Sequence, residues 1–280
     1  MSKEIQIKLD NGLCFAAKTW GKKSKAPLLA LHGWLDNAGS FETLAPYLEQ
    51  NYYIIALDFI GHGLTDHLPK YCHYHFIDSV DHVLSIAAKL GLETFSLLGH
   101  SMGACVAPIL AGTFPEKVER LILLEGIGPL VDTADHASLR LRKYLKLSQR
   151  GRHVRSYENI EDAINTRVKN SAMTYDSAKL IVTRGMEKRE GLFFWRHDTK
   201  LLYPSGTCFT EQHIHNFLQN IQCETTLIWA EQGLNIPESF LAERQKQIKY
   251  LSIGKISGGH HGHMDYPEQV ARLINKVVCH

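Results

Sequence analysis

The sequence predicts an α/β fold built on a mostly parallel, doubly wound sheet, and three observations carry that prediction. Residues 27–31, 53–57, 95–98, 121–124 and 226–229 are short, continuously apolar runs. Continuous rather than alternating apolarity means burial on both faces, as in a parallel sheet covered by helices. Helical patterns separate these runs, and an antiparallel hairpin precedes the first of them. A hairpin leading into alternating β and α units is the signature of this class.

Taken in order, residues 5–9 and 13–19 alternate polar and apolar around Asp10-Asn11-Gly12, a strong hairpin turn. Residues 41–48 read as a helix, as do 77–90, where Val80, Val83, Leu84, Ala87 and Leu90 recur at helical spacing. Small residues dominate a third helix over 104–113, and a helix over 267–278 closes the chain. The rhythm breaks once, for about a hundred residues between Glu125 and Thr226. There 160–168, 177–184 and 213–221 are helical in texture, and no buried strand is evident. Strand–helix alternation resumes afterwards, so the segment reads as a helical insertion and not as an independent domain. The basic residues between Arg140 and Arg155 are interleaved with leucines, as on a solvated helix face.

A formal net charge of +2 gives no electrostatic case for nucleic acid or an anionic membrane. Residues 1–8 alternate and lack the apolar core of a signal peptide. No run approaches the roughly 18 apolar residues of a membrane span. Six cysteines are scattered without a Cys-x-x-Cys pair, which leads us to expect reduced thiols and a cytoplasmic protein.

The residues that carry chemistry begin with Gly99-His100-Ser101-Met102-Gly103, set between an apolar run and a small-residue helix. A serine at the apex of so tight a turn projects from the sheet. The following amide, that of Met102, opens a helix where negative charge is stabilised. After the first buried run, Leu31-His32-Gly33-Trp34-Leu35-Asp36-Asn37 forms a loop above the strand ends, and we assign a second oxyanion donor to the Trp34 amide. Asp58-Phe59-Ile60-Gly61-His62-Gly63 reads as a structural turn and not as a catalytic pair. The late cluster Gly258-Gly259-His260-His261-Gly262-His263-Met264-Asp265 offers a general base for Ser101, which is a poor nucleophile without one. No metal is assigned to it: His260 and His261 are adjacent and point apart, and a His-x-x-x-His helix is lacking.

Together, the Gly-His-Ser-Met-Gly turn, the His32-Gly33-Trp34 loop, Asp58-x-x-Gly61-His62-Gly63 and the Gly-His-x-x-His before Pro267-Glu268 resemble the α/β-hydrolase superfamily. Within it, the 31–37 loop, Arg184-Gly185, Gly191, Trp195-Arg196 and Asp198 are most similar to serine hydrolase-like proteins of carboxylesterase type. The resemblance implies an α/β-hydrolase core over 1–129 and 222–280, with a helical cap over 130–221 inserted after the sixth strand. It selects His260 as the base, with His261 as runner-up and His263 shaping the pocket. It places the usual acid at Gly233, which has no side chain, with Glu231 two residues earlier. A minority of the superfamily, including some haloalkane dehalogenases, carries the acid one strand earlier, where this chain has Glu125. Glu125 also interrupts a buried apolar run, and a carboxylate there demands partners. We therefore expect a Ser101–His260–Glu125 triad with Glu231 as the alternative acid, acting on a small-molecule ester without a cofactor. A degenerate hydrolase that only binds a ligand or partner, and a carbon–carbon hydrolase or lyase on the same triad, are the alternatives. Phe193, Phe194, Trp195 and Tyr203 are candidates for an apolar pocket lining, or for cap core.

Overall fold

Period-two alternation within each apolar run feeds two cores at once. Leu29, Leu31, Ile55, Leu57, Leu97, Leu121 and Leu123 pack on one face of the central sheet. Their neighbours Leu28, Ala30, Ile54, Ala56, Leu98, Ile122 and Leu124 pack on the other. This is the physical content of continuous apolarity.

The computed structural model describes residues 2–150 and 154–276. Strands β1 (Lys3–Lys8), β2 (Cys14–Trp20), β3 (Ala26–Leu31), β4 (Tyr52–Leu57), β5 (Phe95–His100) and β6 (Val118–Leu124) precede the insertion. Helices α1 (Ala45–Leu48), α2 (Asp78–Lys89) and α3 (Gly103–Thr113) lie between them. The segment between β6 and β10 holds helices α4 (Ala137–Ser148), α5 (Ile160–Ser171), α6 (Tyr175–Gly185) and α7 (Glu211–Gln219), the last of which buries Ile214 and Leu218 in the main core with α3 although it falls within the expected insertion. It also holds strands β7 (Ser156–Tyr157), β8 (Met186–Arg189) and β9 (Leu192–Trp195). Strands β10 (Glu224–Gln232) and β11 (Leu251–Gly259), with helices α8 (Glu238–Gln245), α9 (Gly262–Asp265) and α10 (Pro267–Lys276), complete the core. The eight-stranded sheet runs β1-β2-β4-β3-β5-β6-β10-β11, parallel except where β2 meets β1 and β4.

Three details differ from the sequence reading. The insertion is not purely helical, because β7, β9 and β8 form a small antiparallel sheet. Glu190 and Gly191, both at positive φ, make the two-residue turn between β8 and β9, and Gly191 suits that geometry without steric cost. The helix expected over 41–48 is split into a 3-10 turn, Ala38–Phe41, and α1, since Pro46 has no N–H to continue a longer helix. Strand β11 lacks a continuous apolar run because it is an edge strand whose Ser252, Ile253 and Lys255 face solvent. The closing helix is described through Lys276, and the last two residues expected for it lie outside the described residues. No described helix is long and apolar enough to cross a membrane.

Candidate active site

The chain passes from β5 to α3 through Ser101, whose φ of 52° lies in the left-handed region. A non-glycine residue held there costs about 1–2 kcal/mol. The flanking glycines make the turn possible. A Cβ built on Gly99 would stand 2.6 Å from the Ala104 nitrogen, and one on Gly103 would stand 2.8 Å from Leu31 Cβ. The Ser101 amide donates to Leu124 O at 2.9 Å, fixing the apex against β6.

Ser101 Oγ lies 2.9 Å from His260 Nε2, and His260 Nδ1 lies 3.2 Å from Glu125 Oε2. With the Nδ1 proton donated to the carboxylate, Nε2 is free to accept the serine proton. His260 follows the Gly258-Gly259 end of β11 and precedes α9. Glu125, at the end of β6, is buried. Its Oε1 accepts from the Ala230 amide at 2.6 Å and its Oε2 from the Leu234 amide at 2.9 Å. Two amides and an imidazole therefore satisfy the carboxylate that interrupts the apolar run. Glu231 is exposed on β10, and no contact joins it to His260 among the described residues.

Trp34 and Met102 both line a cavity of about 180 Å3, together with Phe59, Phe76, Tyr144 and Leu201. Neither amide is engaged by another protein group among the described residues, which leaves both N–H groups available to a ligand. The loop carrying Trp34 is pinned by His32, which donates from Nδ1 to Gly33 O at 2.7 Å and accepts at Nε2 from the Phe59 amide at 3.0 Å. Both ring nitrogens are thereby assigned to a neutral imidazole, and burial pushes its pKa below the ordinary value. The Trp34 indole is half exposed and donates to Leu201 O at 3.2 Å, spanning loop and insertion. Of the aromatic lining candidates, Tyr203 borders the cavity, whereas Phe193 and Trp195 pack in the insertion's own core and Phe194 stacks under Arg189. Ser101, His260 and Glu125 line neither this cavity, which reaches the site through Trp34 and Met102, nor a larger open cleft of about 670 Å3 bordered by Glu4, Lys18, Asp176 and Arg184.

Asp36, His100 and His261 also converge, with one potential ligand atom from each within 4.8 Å of the others. The side chain that supplies positive charge to that carboxylate is Arg167, paired closely with Asp36 Oδ1. The donor set therefore fits a hydrogen-bonded ion pair better than a cation site.

The model of the alpha/beta hydrolase fold family matches residues 26–267, a span that contains Ser101, Glu125 and His260. The chain belongs to the α/β hydrolase family. A serine hydrolase-like protein of Dictyostelium discoideum is 36% identical over 278 residues, covering 94% of this chain and 77% of that protein. Human serine hydrolase-like protein 2 is 30% identical over 284 residues, covering 94% and 90% respectively. Among solved structures, a hypothetical protein from Pseudomonas aeruginosa PAO1 superposes with a TM-score of 0.93 at 37% identity, covering 99% of this chain and all of that one.

In this α/β hydrolase, two of the residues that mark its likeness to serine hydrolase-like proteins, Arg184 and Asp198, work at the joint between insertion and core. Arg184 pairs with the buried Asp58 at 2.8 Å and with Glu4 at 2.6 Å. Asp58 also accepts from the amides of Ala38 and Leu64, so it is a structural hub of the turn that follows β4. Asp198 accepts from Tyr74 Oη, and Arg196 donates to Met186 O. Sequence reasoning passed over Arg244. Its buried guanidinium donates to Ile127 O, Pro129 O and Glu211, tying the segment after Glu125 to α7. A basic residue on a short, polar helix gives no sign of that role in the sequence. His261 Nε2 lies 3.2 Å from Asp36, and His263 lies 2.8 Å from Ser40 Oγ, so neither approaches Ser101 as a base.

Proposed function

We propose that this α/β hydrolase cleaves carboxylic esters, or related acyl bonds, through an acyl-enzyme formed on Ser101. The observation that carries this reading is the continuous relay from Ser101 Oγ through His260 to Glu125, at 2.9 and 3.2 Å. Ser101 Oγ attacks the acyl carbon while His260 Nε2 takes its proton, and Glu125 stabilises the imidazolium. The Trp34 and Met102 amides receive the oxyanion, and each such donor contributes about 3 kcal/mol to the transition state. The tetrahedral intermediate collapses as His260 protonates the leaving alcohol. Water, deprotonated by the same nitrogen, then attacks the acyl-enzyme and releases the acid. No step requires a cofactor.

The mostly apolar cavity of about 180 Å3 beside the two amides suits a compact acyl group on a small-molecule ester. A serine at the apex supports acyl transfer over the epoxide and haloalkane chemistry for which this superfamily uses an aspartate. The segments 1–129 and 222–280 serve in this reading as the core, and 130–221 as the cap that roofs the site. A fluorophosphonate probe tests the assignment. Wild-type protein should label at one site and Ser101→Ala should not, while folded wild type that stays unlabelled would establish the degenerate alternative.

A further inference from the structure

Asp36 lies outside the proposed relay, yet its carboxylate meets a neighbour of the serine and a neighbour of the base. It is buried within the loop that carries Trp34, and its own amide donates to Gly33 O at 3.1 Å. One oxygen pairs with Arg167 of α5 in the insertion. The other lies 3.2 Å from His261 Nε2 and 3.8 Å from His100 Nδ1. His261 directly follows the proposed base, and His100 directly precedes the proposed nucleophile. His100 Nε2 donates to the backbone carbonyl of His260 at 2.8 Å. Its ring packs against those of His260, His261 and His263 at centroid distances of 4.8, 5.1 and 4.1 Å. The cluster also presses on the oxyanion loop, since a Cβ built on Gly33 would stand 2.9 Å from Asp36 Oδ2 and 3.1 Å from His100 Nδ1.

We infer that Asp36 is a positioning residue whose pairing with Arg167 makes the alignment of His260 depend on a seated insertion. The chain of contacts is short. Arg167 anchors the carboxylate, the carboxylate orients His261 and faces His100, and His100 holds the His260 carbonyl. The electrostatics agree: burial opposes ionisation of Asp36, but His261, Arg167 and His100 together outweigh it and hold its carboxyl well below the usual range. If α5 lifts, the buried carboxylate is left without its cation, a state that buried pairs resist strongly. A productive His260 and a seated insertion are then one state, so water meets an aligned relay only when the roof is down. The inference rests on the acyl-transfer reading of Ser101 and His260.

The test measures the rate of fluorophosphonate labelling of Ser101, and kcat and KM on a short p-nitrophenyl ester, in the full chain. Arg167→Met should lower both thermal stability and labelling. The double variant Asp36→Asn/Arg167→Met removes the stranded charge, so its melting temperature should recover. Its labelling should stay about ten- to a hundredfold slow, with the loss in kcat and not in KM. Arg167→Lys keeps the charge without the fork and should label at an intermediate rate. A double variant that labels at the wild-type rate would make the pair merely structural and overturn the inference, as would an Arg167→Lys protein and an Arg167→Met protein that both label normally. Wild type that fails to label overturns the acyl-transfer reading itself, whereas labelled wild type beside a normal double variant overturns the positioning role alone.

Discussion

Glu125 and Gly233 share one space. A Cβ built on Gly233 would stand 2.6 Å from the Glu125 carboxyl carbon, so the glycine is the room into which the carboxylate fits. Any side chain at 233 has to displace Glu125 from His260. Gly233→Ala should therefore lower kcat nearly as far as Glu125→Gln, for which about a 10^3- to 10^4-fold loss is expected from removal of the proposed triad acid. Glu231→Gln should leave the rate unchanged. Ester hydrolysis by the three purified variants checks the order, and a large loss in Glu231→Gln would refute it.

Ser101 holds a left-handed backbone that glycine adopts freely. Ser101→Gly should abolish turnover and labelling while raising unfolding stability by about 1 kcal/mol. Urea denaturation measures this directly, and a destabilised variant would show that the hydrogen bond to His260 outweighs the strain.

The buried histidines set an acid limit on the fold. Desolvation lowers the pKa of His32, His62, His100 and His263, the last to about 3. Between the folded and unfolded values, the unfolded chain binds more protons than the native one. Their stabilising contribution is therefore complete above about pH 6.5 and is lost as the pH falls below it. Each such histidine contributes at most about 1.4 kcal/mol per pH unit. The urea midpoint should be clearly lower at pH 5.5 than at pH 7.5. An unchanged midpoint would mean that these rings bind protons equally in the native and unfolded states.

Arg184 and Asp58 form another ion pair between insertion and core, and Asp58 is fully buried. Arg184→Met strands that carboxylate and should cost about 3–5 kcal/mol of stability, read by thermal unfolding. Replacing both residues by apolar ones of similar shape should cost less than the single change. A single variant that melts like wild type would show that the loop amides of Ala38 and Leu64, not the pair, satisfy the Asp58 carboxylate.

What was legible in the sequence was local, or was marked by a conflict within a pattern. The serine turn spans five consecutive residues whose steric demands are written in their own types. Glu125 is visible because a carboxylate breaks an apolar run, although the glycine that makes room for it, Gly233, lies 108 positions later. The β8–β9 hairpin carried its signal in Glu190-Gly191, hidden inside a segment whose helical texture dominated. Asp36, His100, His261 and Arg167 gave no such sign. Asp36 is separated from Arg167 by 131 positions and from His261 by 225, so the motifs that hold Asp36, His100 and His261 carry no sign of their convergence, and Arg167 looks alone like an ordinary helix residue. Only closure of the sheet and seating of the insertion bring them together.

The early placement of the acid divides the proposed machinery unevenly along the chain. Trp34, Ser101, Met102 and Glu125 all precede the insertion, and His260 alone follows it. Lengthening or nicking residues 130–221 would leave the spacing of nucleophile, acid and oxyanion amides untouched. A chain severed there becomes two halves, one of which holds everything but the base. Activity that returns on mixing would report, through a single imidazole, whether the halves have found each other.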